Sequence, residues 1–406
     1  MTDRRWQILG VLFLARTAMG FQFQSVASTT PFLVADLHIG YAAVGTLVGL
    51  YMLPGILIAF PSGLLSRRFG DKAVCVAALA LMIVGGLLSG IGQTPAGVFA
   101  GRLISGVGAV LFSLVITKMA TDWFANREIV LAMGVVLASW PFGVAAGLLL
   151  QPSLAAAQGW RWVMYATATL CAVALVLIAA CYREPRRIAS PNPATDAPAV
   201  PTLPPWDQLL PTIVAGVMWA NLNLALVLYF SYAPSTMTEL GLSAITAAAW
   251  TGAALWVVMF SVPLGGLAVE LSSRPQTAIV IFSVLGGLAL ALLPTGTAPL
   301  ALGVGFGIAV GVPAGAIMAL PARVLSPEHR AGGLGVFLTC YYIIQAFGPA
   351  LAGLLRERWS TAAATLFAAV LMASIAALDG LFYVLARNLS FTVRRQQMQP
   401  PRSDTG

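Results

Sequence analysis

Pro61 to Lys72 read PSGLLSRRFGDK, and within this stretch a hydrophobic run ends and Arg67, Arg68 and Lys72 arrive within six residues. That is the pattern of a short basic hairpin between two membrane helices. About two hundred residues on, Pro61-x-Gly63-x-Leu65 returns as Pro263-x-Gly265-x-Leu267, again at the close of a long apolar segment. Upstream, Pro31 is followed five residues later by Asp36-Leu37, and Pro234 five residues later by Glu239-Leu240. Downstream, Ala132-Met133-Gly134-Val135 is matched by Gly333-Leu334-Gly335-Val336. Three matches in one order, at offsets of 201 to 203, predict two copies of one unit.

A chain of 406 residues that is 59% hydrophobic and 9% charged, with a mean hydropathy of +0.88, is too apolar for a soluble globular protein. Crossing a bilayer takes roughly 20 apolar residues per helix. Twelve such runs lie at 8–32, 41–61, 73–92, 97–119, 128–150, 160–181, 208–232, 244–266, 277–294, 299–322, 332–354 and 361–386. The predicted fold class is therefore an all-α membrane protein with twelve transmembrane helices in two six-helix pseudo-repeats. The first run follows only a few polar residues and precedes no small-residue cleavage site, so it is read as a helix and not a signal peptide.

The expected division is an N-terminal bundle over 1–182, a Pro-rich linker over 183–207, a C-terminal bundle over 208–390 and a tail over 391–406. The linker carries seven prolines and little that forms a core. In the predicted topology the loop cations fall on one side, apart from Arg161, Arg356 and Arg358, with Lys118 at the edge. Short loops retain Lys and Arg on the cytoplasmic side, so both termini are expected there, in the inner (plasma) membrane. The net charge of +8 follows from this topology and implies no nucleic acid. The tail, with Arg394 and Arg395, is expected on anionic headgroups of the bilayer. Small residues at helix positions permit packing within a monomer.

The stretch from Gly63 to Lys72 resembles the signature between helices 2 and 3 of the major facilitator superfamily, usually Gly-x-Leu-Ala-Asp-Arg-x-Gly-Arg-Lys. The resemblance implies that Gly63, Arg67, Arg68, Gly70, Asp71 and Lys72 form a conformational signature. Two charges are exchanged: the family's acid is here Arg67, and its second basic position is Asp71. In the family that acid helps latch the two halves, and Glu270, at the matching hairpin, is the candidate to replace it. Arg102-x-x-x-Gly106-x-Gly108 resembles a second family signature, whose Arg is tied to proton coupling or helix packing. In antiporters of the family, helix 5 carries a glycine before its proline; here Trp140 stands before Pro141, and Gly348-Pro349 occurs in run 11 instead.

Arg16 lies eight residues inside the first run, with Gly20, Gln24 and Ser28 following at intervals of four on one face. A cation at the centre of a membrane helix costs roughly 2.5–3.5 kcal/mol on insertion scales. It therefore either caps carbonyls of a neighbour or faces a cavity. Arg102 has the same two readings. Pro54 predicts a bend in run 2. In run 7, Trp219 stands at the position equivalent to Arg16, and Asn221, Asn223, Tyr229 and Tyr232 are either interhelical glue or a binding face. Tyr341 and Gln345, one turn apart in run 11, form another candidate polar face. Lys118 and Asp122 are read as a surface pair, and Asp379 as a carboxylate near the cytoplasmic end of run 12.

Cys75, Cys171, Cys181 and Cys340 have no Cys-x-x-Cys spacing and read as small core residues. His38 and His329 make no metal spacing, so neither cofactor nor metal is expected. An enzyme would need a nucleophile with a base, or a metal cluster, inside the bilayer, and the sequence offers neither.

Arg16 and Arg102 are deep cations without a mid-membrane carboxylate, so the substrate is the candidate counter-charge. The expectation is a secondary transporter moving a small anion by alternating access. Arg16, Gln24, Arg102, Trp140, Asn221, Tyr229, Tyr341 and Gln345 are the candidate substrate-binding residues, with a proton or an exchanged anion as coupling partner. Runs 1, 4 and 5 are similar to cyanate-like and nitrate- or nitrite-like carriers, without the Gly-Asn signature of true nitrate carriers. The alternatives are a proton-driven multidrug exporter using Trp140, Trp219, Trp250 and Tyr341, or a non-transporting sensor with the same fold.

Overall fold

The structure, a computed structural model, describes residues 2–58, 68–124, 128–183, 203–272 and 274–397. Gly63, Arg67, most of the linker and the end of the tail lie outside the described residues. The first set of helices is α1 (Thr2–Ser28), α2 (Thr30–Leu37), α3 (Tyr41–Leu50), α4 (Gly55–Ile58), α5 (Asp71–Ile91), α6 (Pro95–Phe124), α7 (Ile129–Gln158) and α8 (Trp160–Cys181). The second is α9 (Trp206–Glu239), α10 (Ala244–Ser272), α11 (Pro275–Leu292), α12 (Pro299–Met318), α13 (Leu320–Val324), α14 (Arg330–Arg358) and α15 (Thr361–Gln397). Among the described residues, eleven segments are long and apolar enough to cross a membrane. The segment containing α1 is not one of them, because its polar face carries Arg16, Thr17, Gln22, Gln24, Ser25 and Ser28.

Prolines and glycines explain where these helices begin and end. Pro95, Pro275 and Pro299 open α6, α11 and α12, where a missing N–H costs nothing. Gly159, at φ +96°, reverses the chain between α7 and α8, a conformation open to a residue without Cβ. Run 2 is broken, not bent: a turn at 51–54 separates α3 from α4, since Pro54 cannot donate within the helix. Two boundaries differ from expectation. α9 begins at Trp206, inside the expected linker, and α15 continues to Gln397, past residue 390.

Packing follows one pattern in each set. α5 lies along α6 and α8, and α11 lies along α12 and α15; α1 lies along α7, and α9 along α15 and α14. Across the sets, α3 packs on α14 and α7 on α10. Leu57, Leu271, Val176 and Val384 are exposed around the outside, while Gln24, Ser139, Thr251 and Ser283 are fully buried. Polar groups point inward and large aliphatic groups outward, as a hydrocarbon solvent requires. Cys75 and Cys171 are buried as expected, but Cys181, at the end of α8, is exposed.

The end of the bundle where α1 begins and α15 finishes is here the near end; residues 28–41 and 357–361 mark the far end. At the far end the two sets touch through backbone. A Cβ on Gly45 would strike the carbonyl of Pro349, one on Gly49 that of Ala346, and one on Gly353 that of Tyr41. Glu357 Oε1 accepts from the Ala42 N–H at 2.9 Å, capping α3, whose own N-cap Gly40 has no side chain for the purpose. The Arg356 guanidinium lies 4.1 Å from the Tyr41 ring centroid.

Candidate functional site

Between the two sets lies a cavity of about 280 Å³. α1 contributes Arg16 and Met19, the break in run 2 contributes Tyr51 and Met52, α7 contributes Trp140, α9 contributes Trp219 and Asn223, and α14 contributes Tyr341 and Tyr342. The remaining lining is chiefly Ala, Val and Leu from α6, α9, α10 and α12.

Arg16 is the charged group of this lining. Its Nη1 donates a long bond of 3.4 Å to Thr117 Oγ1, and its Nε has no partner. Among the described residues no carboxylate lies within ion-pair distance of it, and its electrostatic neighbours are Tyr341 and Tyr342. A planar guanidinium with free donor capacity can take a carboxylate or oxyanion in two bonds. Water-poor, aromatic walls strengthen that attraction.

Arg102 does not line the cavity. It is 3% exposed, and its three nitrogens are taken: Nε donates to Leu47 O at 3.0 Å, Nη1 to Gln22 O at 3.0 Å and Nη2 to Phe23 O at 2.6 Å. These carbonyls belong to α1 and α3, so Arg102 ties three helices together. Of the two readings open in the sequence, the geometry fits the carbonyl cap for Arg102 and the cavity for Arg16.

Gln24 is fully buried, outside the cavity lining, and donates to Ser28 Oγ at 3.1 Å. Asn221 donates to Ser374 Oγ on α15 at 3.0 Å and faces away from the cavity, whereas Asn223 lines it. Tyr229 packs on Phe306 at 4.9 Å between ring centroids, outside the lining. Gln345 is buried beside Tyr341, also outside it. The structure therefore brings Arg16, Trp140 and Tyr341 together, keeps Gln345 beside Tyr341 but behind the lining, and disperses Gln24, Arg102, Asn221 and Tyr229. Tyr51 and Tyr342 join the cavity without having been singled out as binding residues, and of the candidate polar face on run 7 it is Asn223 that lines it. The Pro54 break could have flagged Tyr51. Asn221 and Asn223 differ by about 200° around the helix, so only one of them can face the cavity.

Within the signature, Asp71 is buried and pairs with Lys118, which also lies 3.4 Å from Asp122. Lys118 and Asp122 are thus part of a three-member network, not an isolated surface pair. Lys72 donates to Ala179 O at 2.7 Å, and Gly70 adopts φ +84° at the start of α5. Arg68 is exposed, over the Phe69 ring at 5.5 Å. Glu270 is exposed and forms no ion pair among the described residues. Asp379 is fully buried on α15, beside Gln276 and Arg323, and does not line the cavity.

The family profile of the Major Facilitator Superfamily matches residues 12–314. The chain is 27% identical over 180 residues to Multidrug resistance protein 1 of Bacillus subtilis, covering 44% of this chain and 45% of that protein. It is 30% identical over 165 residues to a quinolone resistance transporter of Acinetobacter baumannii, covering 38% of this chain and 36% of that protein. The alignments cover 24% to 32% of the length of the first curated relatives. In fold it is similar to the inward-open xylose transporter XylE from E. coli, with a TM-score of 0.73 at 13% identity, over 93% of this chain and 96% of that one. The match over most of the chain and the shared fold show that this protein belongs to the major facilitator superfamily, whose members are transporters and not enzymes.

Proposed function

We propose that the chain is a secondary transporter for a small organic anion with an apolar body, held in the central cavity with its charge on Arg16. The observation that carries this reading is the unneutralised Arg16 guanidinium among aromatic and aliphatic walls. Trp140, Trp219 and Tyr341 offer ring faces to the apolar part, and Asn223 and the Tyr hydroxyls offer hydrogen bonds. An apolar lining of this kind favours an organic anion over the cyanate- or nitrate-sized solutes of the carriers that runs 1, 4 and 5 resemble. Coupling is to a proton or an exchanged anion.

In this reading α1 is the twelfth membrane crossing, and the parallel packing of the two helix sets supports two six-helix repeats. Rocking of residues 1–182 against residues 208–390 then gives alternating access. Both termini are cytoplasmic, the membrane is the inner (plasma) membrane, and the working unit is a monomer. A second reading, export of lipophilic drugs, draws on the aromatic walls and on relatives named for multidrug and quinolone resistance.

The test is a thermal-shift screen of purified protein against aromatic carboxylates, small oxyanions and lipophilic cations, with Arg16→Gln beside the wild type. A ligand at a hundred times its Kd stabilises by about 2.7 kcal/mol. Stabilisation by carboxylates that Arg16→Gln abolishes is the expected result. Stabilisation by lipophilic cations alone, equal in both proteins, would replace this reading with the exporter.

A further inference from the structure

A second cavity, of about 240 Å³, lies at the far end between the same two helix sets. Its relation to the central one is legible along four helices. On α1 the central cavity takes Arg16 and Met19 and the far one Ala27 and Ser28; on α7 the central cavity takes Trp140 and the far one Leu148 and Pro152. On α9 the order runs from Trp219 and Leu226 to Ser231 and Ser235, and on α10 from Val258 and Val262 to Ala248. The two cavities are thus stacked end to end.

What separates them is an aromatic plug. Phe23 stands between the two groups on α1 and Phe230 between those on α9. Phe230 meets Phe23 edge-on at 6.0 Å and Trp140 at 6.3 Å, and Phe23 meets Trp140 at 5.6 Å. Phe23 and Trp140 belong to the first helix set and Phe230 to the second, so the plug closes only while the sets are together.

The chemistry of the far cavity differs from that of the central one. Charged residues are absent from its lining among the described residues. The nearest cation, Arg356, is engaged: it donates to Ser235 Oγ at 2.7 Å, lies 3.6 Å from Glu239 and covers the Tyr41 ring. The lining sets ten Ala, Pro, Leu, Ile and Phe residues beside eight Ser, Thr and Tyr, and the surface they turn to the cavity is mostly apolar. Ser231 Oγ is buried behind this lining, and Ser28 Oγ is held by Gln24. An anion would find here only the Arg356 guanidinium, already paired with Glu239, whereas an uncharged apolar molecule suits these walls.

We infer that the far cavity is a second binding site, one that takes uncharged, largely apolar molecules through shape and apolar contact. It does not depend on the anion reading of the central cavity. It requires only that the two cavities be distinct.

Benzophenone, a neutral aromatic ketone that inserts into nearby C–H bonds on illumination, is a suitable probe. The full-length protein in lipid nanodiscs is photolabelled over a concentration series, and labelled peptides are quantified by mass spectrometry. Saturable labelling of residues 27–32, 148–156 and 231–248 is expected. Ala248→Trp, or Ala156→Trp at an exposed position of the rim should the first fail to fold, should reduce labelling by about tenfold or more, as blocking a site of useful affinity requires. Arg16→Gln should leave the labelling intact, even though it is the variant that tests the central site. Labelling that rises without saturation, as for an acyl-chain crevice open to the bilayer, would overturn the inference. So would labelling that both tryptophan variants leave unchanged.

Discussion

The guanidinium carbon of Arg102 sits 4.4 Å from the centroid of the Tyr51 ring, and the Tyr51 hydroxyl donates to Gln22 Oε1 at 3.2 Å. Tyr51 faces the central cavity and Arg102 does not, so Arg102 acts on the site through the residue it supports. The strut adds to the Phe23 ring, 5.4 Å away, in fixing Tyr51 just past the end of α3.

Removing this strut should be felt as stability. Hydrogen bonds to a charged donor are worth about 1.5–3 kcal/mol each, and Arg102 makes three. Arg102→Ala should therefore lower the unfolding temperature in detergent well below that of Arg16→Gln. Arg102→Lys should not restore it, because a single ammonium cannot span carbonyls that a planar fork reaches together. Equal melting of the Arg102 and Arg16 variants would contradict this assignment.

The two asparagines of α9 should separate cleanly. Asn221→Ala breaks the bond to Ser374 and should cost roughly 0.6 to 1.7 kcal/mol, the range for polar contacts between membrane helices, with little change in ligand affinity. Asn223→Ala should leave the melting temperature near wild type and shift the half-saturating ligand concentration. Thermal melts with and without ligand measure both.

The far-end seam depends on bare backbone. Gly49 meets the carbonyl of Ala346 where a Cβ has no room, so Gly49→Val should hold the two helix sets apart at this end. A cysteine at Ala248, buried in the far cavity, should then react faster with a membrane-impermeant maleimide than in the Gly49 background. Unchanged reactivity would mean that the seam is not what closes this end.

Asp36 lies beyond the membrane-crossing segments. Its carboxylate accepts from Trp160 Nε1 at 2.9 Å and from Arg161 at 2.7 Å, and these bonds, the Trp160 one foremost, hold it below the ordinary carboxylate range. A carboxylate depressed by folding contributes stability that is present above its unfolded-state value and is lost as pH falls through its folded-state value. Asp36→Asn should therefore be less stable than wild type at neutral pH, and the gap should narrow on acidification below about pH 4, the ordinary carboxylate value. Melting curves from pH 3 to 7 decide it.

Much of this molecule is legible in one dimension. Hydropathy marks the membrane segments, because hydrocarbon tolerates little else over that length. The spacing of Pro61, Gly63 and Leu65 against Pro263, Gly265 and Leu267 is the sequence's argument for a duplication, and the position of Arg16 deep in an apolar run marks a cation in need of a partner. What the sequence could not decide was direction. Arg16 and Arg102 look alike as deep arginines, yet one meets carbonyls of α1 and α3 and the other meets open space. Asn221 and Asn223 are two residues apart, yet they face α15 and the cavity respectively. The far-end seam and the aromatic plug join residues up to hundreds of positions apart. Burial and periodicity are properties of a segment and can be read from it; which neighbour a side chain meets is a property of how segments pack, and only the assembled bundle settles it.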